Sequence, residues 1–549
     1  MKKIYTTACG TEPYDKNYGI GYKVGHSSWT PYPRVERLMK AFFAKPYDID
    51  LQRLRLVTEA YKQHEDCSRK LQCAYAFENV LENVDLEIYD DDLIIGEIAA
   101  PGKAAPIYPE FSVKWIIDEV LHYPFEERPH DQYYMRSDED RRELVELCKY
   151  WEGKTVCDYV DSRLDEAQRI GSQSGEKIFQ TNLYHYAGVG HYTIDYVRLM
   201  KLGYPGIIQE VDEAYARLTK KDPEYDEKRD EYQASLMMLK ASQKYLLRYA
   251  DLAEKKARAE DDTKRKGELK TIAENCRQIS AGTPQTFWQA LQLFSVATSL
   301  LQIESNGHSL SYGRMDQWLY PFYEADMKNG TITKDFAQEL LEVQYVRLNN
   351  PTKLKDRGTI VVRNGRNWGG ECLTIGGVDR AGNDVTNDLT FMFLEASVHT
   401  RMERPWLLVR MHEKTPYELK VKTVECIRAG YGHPKLFNDK SAIPSMMRKG
   451  CSLEEARDYA VVGCVELAVP GKEYGWHDAA YINTAKMLEM VINGGCTLDG
   501  KRLGPDTGSL LTYKNFDEVM ESVDKQFDYW LDQVCSTMNT EERAHRYRK

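Results

Sequence analysis

The sequence predicts an α/β protein, helical through its first half and built on strands alternating with helices in its second. Three observations carry that prediction. Charged segments before about residue 280 hold apolar residues at three- and four-residue spacing, short apolar runs after residue 359 are separated by helical stretches, and no low-complexity linker interrupts the chain. The absence of any repeat of roughly 20–50 residues argues for one continuous architecture rather than a string of modules. At 549 residues and 42% hydrophobic, the chain is long enough to bury a large core.

The elements follow in order. Arg34 to His64, Glu210 to Ala259 and Thr263 to Ile279 read as amphipathic helices whose charge runs form solvated outer faces. TIVVRN (359–364), CLTIGG (372–377) and PWLLVRM (405–411) read as short buried strands. Between and after them, Asn387 to Val398, Tyr417 to Ala429 and Leu453 to Ala460 read as helices. Strands separated by helices suggest an α/β layer or barrel. The glycine-rich stretch Asn364 to Gly377 precedes a strand and lacks both GxGxxG and GxxxxGK[ST], so it is read as turns rather than a nucleotide loop.

With 74 basic and 85 acidic residues the net charge is -11, which counts against a general nucleic-acid or anionic-membrane binder. A small anionic substrate remains open through a local site. The N-terminus MKKIYTTACGTEPYDKN has no apolar stretch behind its lysines, and no window of about 18 uninterrupted apolar residues occurs, so a cytoplasmic chain is expected. The 12 cysteines include no CxxC pair, which predicts reduced thiols, no disulfide framework and no metal.

The informative run is Val461 to Gly495. If its first residues are extended, Cys464 and Glu466 point to the same side, about 7 Å apart. Cys372 and Cys426 read as small core residues, but a glutamate stranded in the same interior as Cys464 needs a partner or a task. A carboxylate beside the sulfur opposes thiolate formation. The pair therefore favours neutral-thiol or sulfur-radical chemistry over nucleophilic attack. Pro470, Gly471 and Gly475 break the chain before Trp476, His477 and Asp478, and a helix is expected from about Asn483.

Gly463-Cys464-Val465-Glu466 followed by PGKEYGWHDAAYIN resembles the active-site loop of the glycyl radical enzymes, the family of pyruvate formate-lyase and B12-independent glycerol dehydratase. Ser305 to Tyr323, Leu373 to Thr390 and Gly432 to Asp439 resemble further signatures of that family, in family order. The resemblance implies a ten-stranded α/β barrel of two antiparallel halves, of which this sequence would hold the N-terminal helical region and the first half barrel. It also implies that Cys464 forms a transient thiyl radical and that Glu466 acts as base on the substrate. By position, His191 and Asp478 would join the catalytic groups, and His308 and Ser309 would bind substrate hydroxyls.

Structural alternatives stand beside these roles: His191 as a helix buttress, Asp478 as an N-cap, His308 as a satisfied core histidine. The same types together match the glycerol and 1,2-propanediol dehydratases, whereas the choline lyases carry a threonine where this chain has His477. The resemblance thus implies a dehydratase of a small vicinal diol, of glycerol or propane-1,2-diol type. Its alternatives are another glycyl radical lyase (formate C-acetyltransferase-like, C–N, C–S or decarboxylating) or an inactive fragment.

The family's radical glycine lies in an R-V-x-G-Y-like loop, which these 549 residues do not contain. The expectation is therefore a truncated pyruvate formate-lyase-type domain over residues 1–549, without its glycine radical domain and inactive alone. Expected partners are a small alcohol substrate, an iron–sulfur S-adenosylmethionine activating enzyme that installs the glycyl radical, and a chain supplying the glycine loop. A homodimer when complete, in the cytoplasm or inside a bacterial microcompartment, completes what the resemblance implies.

Overall fold

The computed structural model describes residues 29–128, 132–173, 175–359, 370–475 and 477–548. The chain forms two compact units, one from residues up to 107, 119–144 and 190–475, the other from 108–118, 145–189 and 476–549.

In the larger unit the first predicted helix divides in two, Pro33–Ala44 and Gln52–Gln63. Pro46 is the cause: it disfavours a helical Lys45, which is extended at φ -79, ψ 129. The strand Asp48–Asp50 fills the gap and pairs in parallel with Ala104–Pro106. Pro223 lies in the same way between Tyr196–Arg217 and Tyr225–Ala259. Thr263–Ala281 forms as expected, with Asp262 capping the backbone N–H of Arg265.

Behind these helices lies a four-stranded sheet, Ser311–Arg314, Cys372–Gly376, Trp406–Met411 and Lys435–Asn438, with every neighbouring pair parallel and spatial order equal to chain order. Parallel neighbours require crossovers, and the helices Asp388–Thr400 and Tyr417–Arg428 supply two of them. Cys372–Gly376 is buried at every residue, the mark of a strand covered on both faces. CLTIGG and PWLLVRM are thus strands as predicted. TIVVRN falls, except for Thr359, outside the described residues. The helix predicted from Leu453 ends at Arg457, and Ala460 already belongs to the next strand.

That strand, Ala460–Val462, turns back as Glu466–Ala468 in an antiparallel hairpin. Side chains of the sheet hold it: Ser311 Oγ donates to the carbonyl of Val461 at 2.6 Å, and Thr374 Oγ1 accepts from the Val461 N–H at 3.0 Å. Cys372, Leu408, Met446, Tyr459, Val461 and Val469 pack beneath it as one apolar cluster.

The stretches that resembled family signatures brace this sheet. Arg410 makes a two-point contact with Asp439, 2.9 Å on each arm, and Tyr459 donates to the same carboxylate at 2.7 Å. Asp316 Oδ2 accepts from the Gly376 N–H at 2.8 Å and from Thr390 Oγ1 at 2.7 Å. These charges are buried, so each needs the partner it has.

The smaller unit pairs Phe179–Gln180 with Tyr481–Ile482 in antiparallel fashion. Ile178, Phe179, Met487, Met490, Trp530 and Val534 form an apolar cluster with residues from the helices Thr484–Ile492 and Phe516–Arg548. Asn483 caps the first of these helices by accepting from the Lys486 N–H. Among the described residues no helix is long and apolar enough to cross a membrane, and every described cysteine is free.

Candidate active site

Cys464 is not in the extended conformation under which it and Glu466 would point to the same side. It lies in the hairpin turn between Val462 and Glu466, because Gly463 adopts φ +61, a left-handed conformation that glycine enters without steric cost. A second constraint acts on the same glycine. A Cβ there would lie 2.4 Å from His191 Cδ2 and 2.8 Å from Glu466 Oε2, so the turn is hemmed by an imidazole and a carboxylate. Glu466 Oε2 accepts from the Val465 N–H at 2.9 Å, and its Oε1 lies 3.7 Å from His191 Nε2.

Cys464 is half-buried at the tip. Beneath it Cys372 donates to the carbonyls of Gly463 and, at 3.1 Å, Gly370. Burial pushes the Cys372 thiol well above its ordinary value; Lys435 opposes this, while Cys464 and the Glu371 and Glu466 carboxylates add to it. The sequence assigned Cys372 to the core, and the structure adds that its thiol anchors the turn.

His191 and His308 come from segments far apart in the chain. The His191 N–H donates to the His308 carbonyl at 2.9 Å, and the Ser311 N–H donates to the Tyr192 carbonyl at 2.9 Å. The two segments are therefore zipped along their backbones. The imidazoles meet edge to face, with centroids 4.8 Å apart and planes at 87°. Gly190 allows this approach, since a Cβ on it would fall 2.0 Å from the His308 carbonyl oxygen. Beside the pair, Lys353 Nζ donates to the Gly307 carbonyl. Burial drives the Lys353 ammonium well below its ordinary pKa, and neighbouring Lys355 adds to the fall.

Seven described non-glycine residues have positive φ, and three of them are His191 (+55), Ser309 (+58) and Asp478 (+61). Such conformations cost of order 1–3 kcal/mol each and persist where the surroundings impose them, which is characteristic of functional sites. A Cβ on Gly370 would reach within 2.5 Å of Ser309 Oγ, so this serine too is tightly enclosed.

The larger unit thus holds His191, His308, Ser309, Cys464 and Glu466. Asp478 belongs to the smaller unit, in the turn before Tyr481–Ile482. It is not the helix N-cap, a place Asn483 fills. The neighbouring His477 carbonyl accepts from the Tyr184 hydroxyl at 2.5 Å. Gly190 and Lys353 are supports the sequence did not signal, because their meaning lies in contacts between distant segments.

A thiol and a carboxylate at one turn, with an imidazole packed against it, suit hydrogen-atom and proton transfer at a single substrate carbon. A family model, pyruvate formate lyase-like, matches residues 28–549. The chain belongs to the pyruvate formate lyase-like family. Among curated relatives of this family member is the (2S)-3-sulfopropanediol dehydratase of Klebsiella oxytoca, 67% identical over 547 residues, covering 100% of this chain and 66% of that protein. Two solved structures superpose closely. The glycerol-bound B12-independent glycerol dehydratase from Clostridium butyricum gives a TM-score of 0.90 at 35% identity, covering 96% of this chain and 65% of that one. The structure reported for 1,2-propanediol dehydration in Roseburia inulinivorans gives 0.90 at 34%, covering 95% and 64%.

The α/β fold is accordingly that of the glycyl radical enzyme barrels, and the parallel sheet with its cysteine hairpin is the part seen here. This pyruvate formate lyase-like chain spans 64–66% of the length of these relatives. The sequence placed glycerol and propanediol dehydratases nearest, whereas identity to the sulfopropanediol dehydratase is almost twice that to the glycerol enzyme.

Proposed function

We propose that this chain carries the thiyl and acid–base groups of a glycyl radical dehydratase acting on a small vicinal diol. The observation that supports the reading is the Gly463 turn, where Cys464, Glu466 and His191 converge with no room for one added methyl group. A glycyl radical, installed by an iron–sulfur S-adenosylmethionine activating enzyme, supplies the power to take a hydrogen atom from a thiol. Cys464, having given up that atom, removes one from the substrate carbon bearing a hydroxyl group. Glu466 accepts the proton of that hydroxyl, and a carbonyl forms as the neighbouring hydroxyl leaves as water with a proton from His191 or Asp478. Cys464 recovers its hydrogen from that same glycyl site after first returning one to the product carbon. The net change is diol to aldehyde plus water.

His308, which meets the His191 ring edge to face, and its neighbour Ser309 are both buried and are assigned to the substrate hydroxyls. The radical glycine is proposed to come from a polypeptide region with an R-V-x-G-Y-like loop, which these 549 residues do not contain. Expressed by itself with the activating enzyme, the chain should give neither an organic radical signal nor turnover. With that region supplied in cis or as a second chain, both should appear. The substrate panel is (2S)-3-sulfopropanediol, glycerol and propane-1,2-diol, read by aldehyde formation. A strong glycyl radical signal with no diol converted would overturn the dehydratase reading.

A further inference from the structure

In the smaller unit, Cys157, Asp161 and His185 bring one ligand atom each to a common point, all within 4.8 Å of one another. The local fold explains the convergence. A Thr155–Asp158 capping box starts the short helix Val156–Asp161, and Cys157 and Asp161, four residues apart, lie on one face of it. Their side chains touch, with Cys157 Sγ 3.4 Å from Asp161 Oδ2. The helix Asn182–His185 delivers the imidazole opposite, with His185 Nε2 3.1 Å from Asp161 Oδ1.

An independent feature points to a ligand. His185 is 96% buried, yet its Nε2 makes no hydrogen bond of acceptable geometry despite the short distance to Asp161. The other ring nitrogen, Nδ1, lies 3.7 Å from Oε1 of Glu541, a carboxyl group with 0% exposure whose pKa burial pushes well up. Metal-bound histidines donate their other ring N–H to a carboxyl or carbonyl oxygen, and Glu541 stands about 1 Å short of that contact, with neither oxygen hydrogen-bonded. Gln173 Nε2 steadies the third ligand, donating to Asp161 Oδ1 at 2.7 Å.

We propose that Cys157, Asp161 and His185 bind a zinc-class divalent transition metal, with Glu541 as the orienting carboxylate and water as the fourth ligand. The mixed sulfur, nitrogen and oxygen set favours zinc over magnesium or calcium, which prefer oxygen alone. Tetrahedral zinc at about 2.0–2.3 Å from each ligand atom needs them about 3.3–3.7 Å apart, a contraction of about 1.5 Å at most from the spacing seen. On binding, the Cys157 thiol proton passes to solvent and the sulfur–metal bond takes its place. No spacing rule points to this site from sequence, because its residues lack CxxC-type spacing and Glu541 lies far along the chain.

Chelator-treated chain, repurified and titrated with Co(II) as the probe, should bind one equivalent and develop thiolate-to-cobalt charge-transfer absorption. Zn(II) should displace the cobalt and abolish the band. Cys157→Ala, a change that keeps a small apolar side chain, should lose the band, while Cys535→Ala at an exposed position should keep it. Glu541→Gln should retain the band but weaken affinity by roughly 10–100-fold. Circular dichroism checks that each variant folds; should one fail, zinc-edge anomalous scattering from crystals of the unaltered chain between Cys157 and His185 decides. No stoichiometric binding, a band that survives Cys157→Ala, or no anomalous peak there would overturn the proposal.

Discussion

The His191 and His308 rings meet edge to face, 4.8 Å between centroids, while the His191 N–H donates to the His308 carbonyl. One backbone contact thus fixes the relation of two imidazoles whose positions along the chain differ by more than a hundred residues. The arrangement depends on a bare Gly190.

Gly190→Ala places its methyl group 2.0 Å from the His308 carbonyl oxygen and 2.5 Å from its nitrogen, where only backbone could yield. The expected cost is about 2 kcal/mol or more of stability, together with loss of turnover. Gly463→Ala meets the side chains of His191 and Glu466 instead, at positive φ. It should cost less stability, about 1–2 kcal/mol for the left-handed conformation, yet stop turnover as completely. Urea midpoints of the two variants, read with activity, test the difference; equal midpoints would contradict it.

In the activated and completed enzyme, Cys464→Ser should abolish turnover while leaving the glycyl radical signal, because an O–H bond is too strong for that radical to break readily. Glu466→Gln should also keep the signal but slow dehydration by roughly 10²–10⁴-fold in kcat, the range for a lost general base. Full activity of Glu466→Gln on every diol tested would remove the base assignment.

Asp50 is buried on the strand Asp48–Asp50, and burial raises its carboxyl to about 6 although Gln52 hydrogen bonds oppose the rise. The folded state therefore holds this proton more tightly than the unfolded state. As pH climbs from about 4 to 6, the unfolded chain releases it first, and stability falls by about 3 kcal/mol through this group. Asp50→Asn should remove that fall, so its stability relative to the unaltered protein should improve steadily across the window. A constant difference at all pH values would refute the assignment.

His433 works in the opposite sense. Burial, with Lys435 nearby, lowers its imidazole from 6.5 to about 4, so the folded state keeps it neutral. Its contribution is fully present above about pH 6.5 and is lost as pH falls toward 4, by about 3 kcal/mol. His433→Gln should flatten the acid side of the stability profile whatever it costs at pH 7. Denaturation of both variants between pH 4 and 7 should therefore show opposite changes in slope.

Strands such as CLTIGG and PWLLVRM were legible because apolar β-formers bounded by glycine or proline admit few other readings. The divided helices were less so: the apolar spacing runs on through Lys45 and Pro46, and only the proline ring stops the helix there. The turn at Cys464 is not legible in the sequence because periodicity does not reveal a glycine's φ. Cys464 and Glu466 stood out from their own chemistry, whereas His191, His308, Ser309 and Asp478 entered through family resemblance alone. No spacing rule links Gly190 to His308; the contact exists only once both segments are folded.

The last prediction concerns the brace beneath the site. Arg410 and Asp439 are 0% and 3% exposed and bind through two arms of 2.9 Å, with Tyr459 completing the carboxylate's contacts. Removing one partner strands the other charge in a dry interior, where no water can replace it. Asp439→Asn should therefore cost about 3–5 kcal/mol, and Arg410→Met a similar amount. The double variant Arg410→Met/Asp439→Leu leaves no charge behind and should cost less than either single change. A double-mutant cycle by urea denaturation measures this directly. Additive losses would mean that each side chain is held by its other neighbours rather than by the ion pair.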